Sequence, residues 1–252
     1  MSDEKMPPLG HVFGNEDRVK VAKTKVAPFA YICYLETYME GETKVSGRGT
    51  GFLISPTCIV TCGHVLYRRD APQKNKWVAR VDIAPAFDGR NAPFGSRNVP
   101  ATQNSLVVIK SFIDSNKPAI WRQNDIGAII LPRRLAFEIS GNMIGLAEMS
   151  SGIQGREFMI PGYSGDKNGE MWAAKGKVIE RDQDFLRHEI DVTEGASGAP
   201  LLALKQDGTP GNVAYGIHSA ELKVPQKANA AIAFTAANQA TIMDWAGKVN
   251  PD

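Results

Sequence analysis

From residue 25 onward, apolar and polar positions alternate in short runs broken by glycine, proline, asparagine and aspartate. Alternation with a period of two, rich in β-branched and aromatic residues, predicts strands rather than helices. Six runs come first, over residues 27–38, 47–55, 58–67, 77–87, 105–113 and 125–132. A gap over 133–156 follows. Six more runs cover 157–165, 171–180, 185–193, 199–208, 212–221 and 229–236. Two matched sets predict an all-β fold of two β-barrels or sandwiches of similar size, and the reading taken forward is two six-stranded antiparallel β-barrels. One segment has a different period. In residues 235–249, Ile242, Trp245, Ala246 and Val249 recur at spacings of three and four, which predicts an amphipathic C-terminal α-helix. The plan is therefore an extended N-terminal arm (1–20), a first barrel (21–135), a second barrel (136–234) and a helix (235–249).

Composition narrows the function classes. The 252 residues include 24 glycines and 15 prolines, which suits a turn-rich β protein. Lysine plus arginine number 29 against 27 acidic residues, a net charge of +2. That balance gives no field for nucleic acid or an anionic membrane. No apolar run reaches the ~18 residues that mark a membrane span. The opening MSDEKMPPLG has no apolar core and is not a secretory signal. The chain as given reads as cytoplasmic, or as secreted if it is the processed form of something longer. Cys33, Cys58 and Cys62 are an odd set for a disulfide framework. In a strand, Cys58 and Cys62 would lie about 13 Å apart at ~3.3 Å per residue. A disulfide spans less than ~7 Å between Cα atoms. All three are expected as buried free thiols.

Three segments carry candidate chemistry. Glu194-Gly195-Ala196-Ser197-Gly198-Ala199-Pro200 sets a serine between glycines on a turn. A nucleophilic hydroxyl needs such exposure, with backbone N–H groups aimed at the oxygen that becomes negative. Alone, the segment reads equally well as a glycine-rich β-turn. Ile59-Val60-Thr61-Cys62-Gly63-His64-Val65 ends an apolar run in a histidine, which alone reads as structural. Asn124-Asp125 opens the apolar run Ile126–Leu131, alone an ordinary strand-entry turn. Together they give His64, Asp125 and Ser197 in the order of a two-barrel hydrolase triad. The first two fall in the first set of runs and the serine in the second. Other readings fit less well. Gly195-x-Ser197-x-Ala199 breaks the nucleophile-elbow pattern, and only Asp207 and His218 follow in the order an elbow needs. A zinc site from Cys58, Cys62 and His64 has odd spacing and no fourth ligand. The GRGTG run (47–51) lacks a phosphate-loop lysine and suits close backbone approach.

These segments resemble the chymotrypsin-fold serine endopeptidases, and within them the glutamyl endopeptidase branch. Gly49-Thr50-Gly51-Phe52-Leu53-Ile54, Thr61-Cys62-Gly63-His64, Asp125-Ile126-Gly127-Ala128-Ile129 and Gly195-Ala196-Ser197-Gly198-Ala199-Pro200 carry the likeness. So do Gly162-Tyr163-Ser164-Gly165-Asp166-Lys167, Met171-Trp172, Gly176-Lys177 and Tyr215-Gly216-Ile217-His218. Asn15-Glu16-Asp17-Arg18 resembles the start of mature members. The likeness covers roughly residues 12–247. It implies a serine endopeptidase with Ser197 as nucleophile, His64 as base and Asp125 as its orienting group. It implies an oxyanion hole from the N–H groups of Gly195 and Ser197. It places His218, Val192, Thr193 and Ser219 along the substrate pocket, with His218 facing a substrate carboxylate. A new amine at Val12 would complete that pocket. The sequence departs from the branch at Val192, where a threonine or serine is usual, and at Glu194 and Glu221, which add negative charge. Ala196 supplies no acidic side chain before the serine. The expected partner is a protein or peptide substrate, with no metal or organic cofactor, no nucleic acid and no membrane. The pattern carries no signal for an oligomeric state. Two other readings stand beside this one: a protease-like module that binds peptides without turnover, and an enzyme held inactive by its N-terminal arm.

Overall fold

The computed structural model describes residues 10–69, 76–102, 104–149, 155–182, 184–222 and 228–248. The arm supplies β1 (Val19–Lys20). Then follow β2 (Ile32–Tyr38), β3 (Gly47–Ser55), β4 (Cys58–Thr61), β5 (Arg80–Pro85), β6 (Arg97–Pro100), β7 (Leu106–Val108) and β8 (Gly127–Ile130). The later strands are β9 (Gly145–Leu146), β10 (Glu157–Gly162), β11 (Trp172–Asp182), β12 (Phe185–His188), β13 (Pro200–Leu204), β14 (Pro210–Leu222) and β15 (Ala228–Ala233). The helices are α1 (Gly63–Leu66), α2 (Lys110–Asp114), α3 (Pro118–Gln123) and α4 (Ala236–Gly247).

Each of the twelve expected runs contains a strand. The second set closes into a six-stranded barrel, β11-β10-β13-β14-β15-β12, with β12 returning to β11. Short β1 extends β11, and β9 pairs in parallel with β14. The first set curls into a half-barrel in the order β6-β5-β2-β3-β4-β8-β7. Its pairings are antiparallel, as expected.

Two runs change conformation midway. The 58–67 run is strand only to Thr61, and Gly63–Leu66 turns helical. The cause is tertiary: the backbone N–H of His64 donates to Asp125 Oδ1 at 2.7 Å. A carboxylate that satisfies an N–H of the first turn outweighs the strand preference of Val65. The 105–113 run likewise leaves the sheet at Ile109 and continues as α2.

One core runs through both units. Ile59, Val60, Ile129 and Ile130 of the first sheet share a buried cluster with Tyr163, Leu202, Ile217 and Phe234 of the second. Helix α4 packs back on β4 and β8. It opens on a capping box, with Thr235 and Asn238 exchanging side-chain and backbone bonds. Its buried face is Ile242 and Trp245, with Ala246 packed beside them. Each large apolar side chain so buried contributes about 1.5–3 kcal/mol. Val249, the last residue of the expected helix face, lies outside the described residues, as do 1–9 of the arm.

Candidate active site

The helical turn α1 sets His64 over the mouth of the first sheet, where Asp125 enters β8. His64 Nδ1 lies 2.6 Å from Asp125 Oδ2. Ser219 Oγ donates to the same carboxylate oxygen at 2.7 Å. Asp125 is 1% exposed, so a desolvated carboxylate that accepts three hydrogen bonds fixes the ring. An imidazole that donates from Nδ1 presents Nε2 as a base. Ser219 was expected along the substrate pocket; its hydroxyl instead turns to Asp125. The cause is a bulge in β14. His218 opposes Ala231 and Ala220 opposes Ala230, so Ser219 is the extra residue and its side chain is re-aimed.

Ser197 lies in the turn between Asp191 and β13. Gly195 (φ +95°) and Gly198 (φ +93°) flank it in the left-handed region. A Cβ at Gly198 would lie 2.0 Å from Thr50 O and 2.4 Å from Thr61 Oγ1, so neither space nor conformation admits a side chain. Thr50 of β3 holds this turn, a role the sequence reading missed. Its N–H donates to Ser197 O (2.8 Å) and its Oγ1 donates to Gly195 O (2.9 Å). The same Oγ1 accepts from the Tyr163 N–H (3.0 Å). Gly49, from the same glycine-rich run, has Val65 and Ser197 O against the place of its missing Cβ. Among the described residues, the N–H groups of Gly195 and Ser197 donate to no protein acceptor. Ser197 Oγ and His64 Nε2 are buried, and neither has a hydrogen-bond partner. Two backbone donors, a hydroxyl and a ring nitrogen are thus left without protein partners among the described residues.

The remaining expected residues line the other side of the turn. Val192 is buried, and its N–H donates to His11 O of the arm. Thr193 Oγ1 donates to Asp166 Oδ1 (2.8 Å) and accepts from Arg18 Nη1 (2.9 Å). His218 is fully buried on β14, its ring edge-on to His188 at 5.6 Å. Burial, and then the neighbouring His218, hold His188 well below its ordinary pKa and therefore neutral. Asn229 Nδ2 bridges His11 O (2.8 Å) and Ile190 O (2.9 Å), and Phe13 N donates to Asp191 Oδ1 (2.7 Å). The arm is thus stitched to the segment after β12 that carries Val192.

Cys33, Cys58 and Cys62 are buried free thiols. Burial raises all three pKa values, that of Cys58 to about 12. Cys62 Sγ donates to His218 O at 3.1 Å. It also lies with a ligand atom of His64 and one of Asp125 inside a 4.8 Å cluster that could hold a metal ion. Cys58, the third ligand weighed from the sequence, is not in that cluster. Among the described residues, no helix is long and apolar enough to cross a membrane.

Comparison with known proteins agrees with this architecture. Over 195 residues the chain is 26% identical to a glutamyl endopeptidase of Bacillus licheniformis, covering 75% of this chain and 54% of the relative. Over 213 residues it is 24% identical to an extracellular metalloprotease of Bacillus subtilis, covering 82% of this chain and 62% of the relative. The chain therefore spans little more than half the length of these curated relatives. A solved Glu endopeptidase in complex with MPD superposes with a TM-score of 0.74 at 25% identity, covering 93% of this chain and 98% of that one. A protease from Arthrobacter nicotinovorans, Anisep, shares the fold at a TM-score of 0.63 and 16% identity, covering 87% and 96%. A family model described as the trypsin-like peptidase domain matches residues 49–209, well over half of the chain, and on that match the chain belongs to the trypsin-like peptidase family.

Proposed function

We propose that the chain is a serine endopeptidase acting through Ser197, His64 and Asp125. The observation that carries this is the chain of contacts Ser219–Asp125–His64, together with a His64 Nε2 and a Ser197 Oγ that are both buried and, among the described residues, without a hydrogen-bond partner. Ser197 Oγ attacks the peptide carbonyl and passes its proton to His64 Nε2. The imidazolium is stabilised by Asp125 and then protonates the leaving amine. The oxyanion forms against the N–H groups of Gly195 and Ser197. Water, activated by the same histidine, releases the acyl group. A hydrogen bond between such a serine and histidine commonly tightens when substrate binds.

An acidic residue before the scissile bond is the preference we propose. His218 is the pocket residue able to meet a carboxylate, and the likeness to glutamyl endopeptidases supports the assignment. The name of the second relative raises metal-dependent cleavage as a rival, and Cys62, His64 and Asp125 supply a donor set for it. In that set His64 Nδ1 is already committed to Asp125. That relative's extracellular designation supports the secreted alternative for localisation.

A fluorophosphonate probe should label Ser197 alone, and Ser197→Ala should lose roughly 10⁴–10⁶ in turnover while keeping its melting temperature. Cleavage that survives this substitution, or that a chelator abolishes, would overturn the serine mechanism.

A further inference from the structure

The oxyanion donor at Gly195 needs something to hold its direction, because Gly195 and Gly198 are both conformationally free. The Gly195 N–H shares a peptide plane with the Glu194 carbonyl. In a trans peptide the two point in opposite directions. Glu194 O accepts from the Gly165 N–H at 2.6 Å, which turns the Gly195 N–H the other way. The direction of that donor is therefore set by the short 3-10 turn Gly165–Lys167.

That turn is held by an arginine from the arm. Arg18 is 6% exposed and uses all five N–H donors. Nη1 reaches Asp166 Oδ1 (2.9 Å) and Nη2 reaches Asp166 Oδ2 (2.7 Å). Nε reaches Glu16 Oε1 (2.7 Å) and Nη2 reaches Glu16 Oε2 (2.5 Å). The last, from Nη1, goes to Thr193 Oγ1 (2.9 Å), two residues before Gly195. Thr193 closes the ring by donating to Asp166. Lys167 Nζ adds a contact to Glu16 at 3.2 Å, so two cations balance two carboxylates. Arginine is suited to this because its planar fork meets a carboxylate with two parallel bonds, where lysine offers a single point charge.

We infer that Arg18 is a positioning residue for the oxyanion hole: through Asp166 and Thr193 it fixes the Gly165 turn, and through Glu194 O it aims the Gly195 N–H. The inference rests on the serine mechanism proposed above. Without Arg18, Asp166 is left with a weaker partner, the turn loosens and the Glu194–Gly195 peptide is free to rotate. An oxyanion donor is worth about 10²–10³ in turnover.

The test compares wild type, Arg18→Lys and Arg18→Met in the full chain. It measures kcat and KM on one peptide, and inhibition by a peptide boronic acid, whose tetrahedral oxygen occupies the oxyanion position. Arg18→Met should lower kcat about 100-fold and weaken the boronate by a similar factor, with KM changing less than about threefold. Arg18→Lys keeps the charge and guards against a misfolded methionine variant. It should melt close to wild type and still lose about tenfold in kcat and boronate affinity. Unchanged kcat in both variants, or a loss confined to KM, would overturn the inference. A wild type that neither cleaves nor takes the fluorophosphonate on Ser197 would sink this inference together with the serine mechanism. An active wild type with undisturbed Arg18 variants would sink this inference alone.

Discussion

A single hydroxyl, that of Thr50, joins the nucleophile turn to the first sheet and satisfies Tyr163 N at the same time. Thr50→Val keeps the shape of the side chain and removes both bonds. It leaves the Gly195 carbonyl and the Tyr163 N–H buried without this partner. Each such loss costs about 1–3 kcal/mol. We expect Thr50→Val to lower the unfolding free energy by roughly 2–5 kcal/mol, and kcat to fall with it. Thermal and urea unfolding measure this, and a change under about 0.5 kcal/mol would reject the stitch. His64, Asp125 and Ser197 could be picked out as candidates from their order and setting, and the structure sets His64 on Asp125. The part of Ser219 was not legible, because it depends on a bulge that breaks the alternation from which side-chain direction is read. Thr50 was not, because its partners lie 113 and 145 residues away.

At the scale of elements, periodicity located the strands that are long enough to show it. Strands β1 and β9 have two residues each, too few for a pattern, and β6 buries a single apolar residue, Val99. Helix α1 was hidden for a different reason: its start is held by a carboxylate 61 residues downstream. The arm shows the same limit. Its sequence reads as an extended lead, yet residues 10–13 dock on the segment between β12 and β13 that carries Val192. A Cβ at Gly10 would lie 2.9 Å from Val192 O. A chain cut before Val12 loses the His11 contacts but keeps Phe13 N on Asp191 Oδ1, which would hold the new ammonium group one residue away from that contact. We expect the 12–252 chain to cleave faster than the 1–252 chain, and to prefer Glu over Gln, Lys or Leu before the scissile bond. Equal rates for the two chains, or a preference for Lys, would reject both the carboxylate pocket and control by the arm.

The whole molecule records the docking of the arm in its pH dependence. Asp17 is an exposed residue, yet partial desolvation of its carboxyl and then the facing Asp191 carboxylate push it up to about 6. In the unfolded chain it titrates near ~3.9. Between those values the native state holds more protons than the unfolded state, so this group's stabilisation is present below about pH 4 and is lost as pH rises through 6. Glu16 and Asp166 act in the opposite sense and at lower pH. Arg18 is the leading partner that holds them near about 2, against the cost of burial, so their stabilisation is lost only as pH falls toward that value. Asp17→Asn is neutral at every pH. It should reduce the drop in melting temperature from pH 4.5 to pH 7, and raise the value at pH 7. Parallel pH profiles for variant and wild type would show that the Asp17–Asp191 pair does not form.

The Thr50 stitch also sets a timetable. Thr50, His64 and Asp125 leave the ribosome early, at roughly 5–20 residues per second, and can fold into their half-barrel before Ser197 exists. The nucleophile turn gains its final shape only when it meets that waiting strand, and α4, which packs on β4 and β8, emerges later still. On the serine mechanism proposed above, the site is therefore assembled only after the second barrel has met the first.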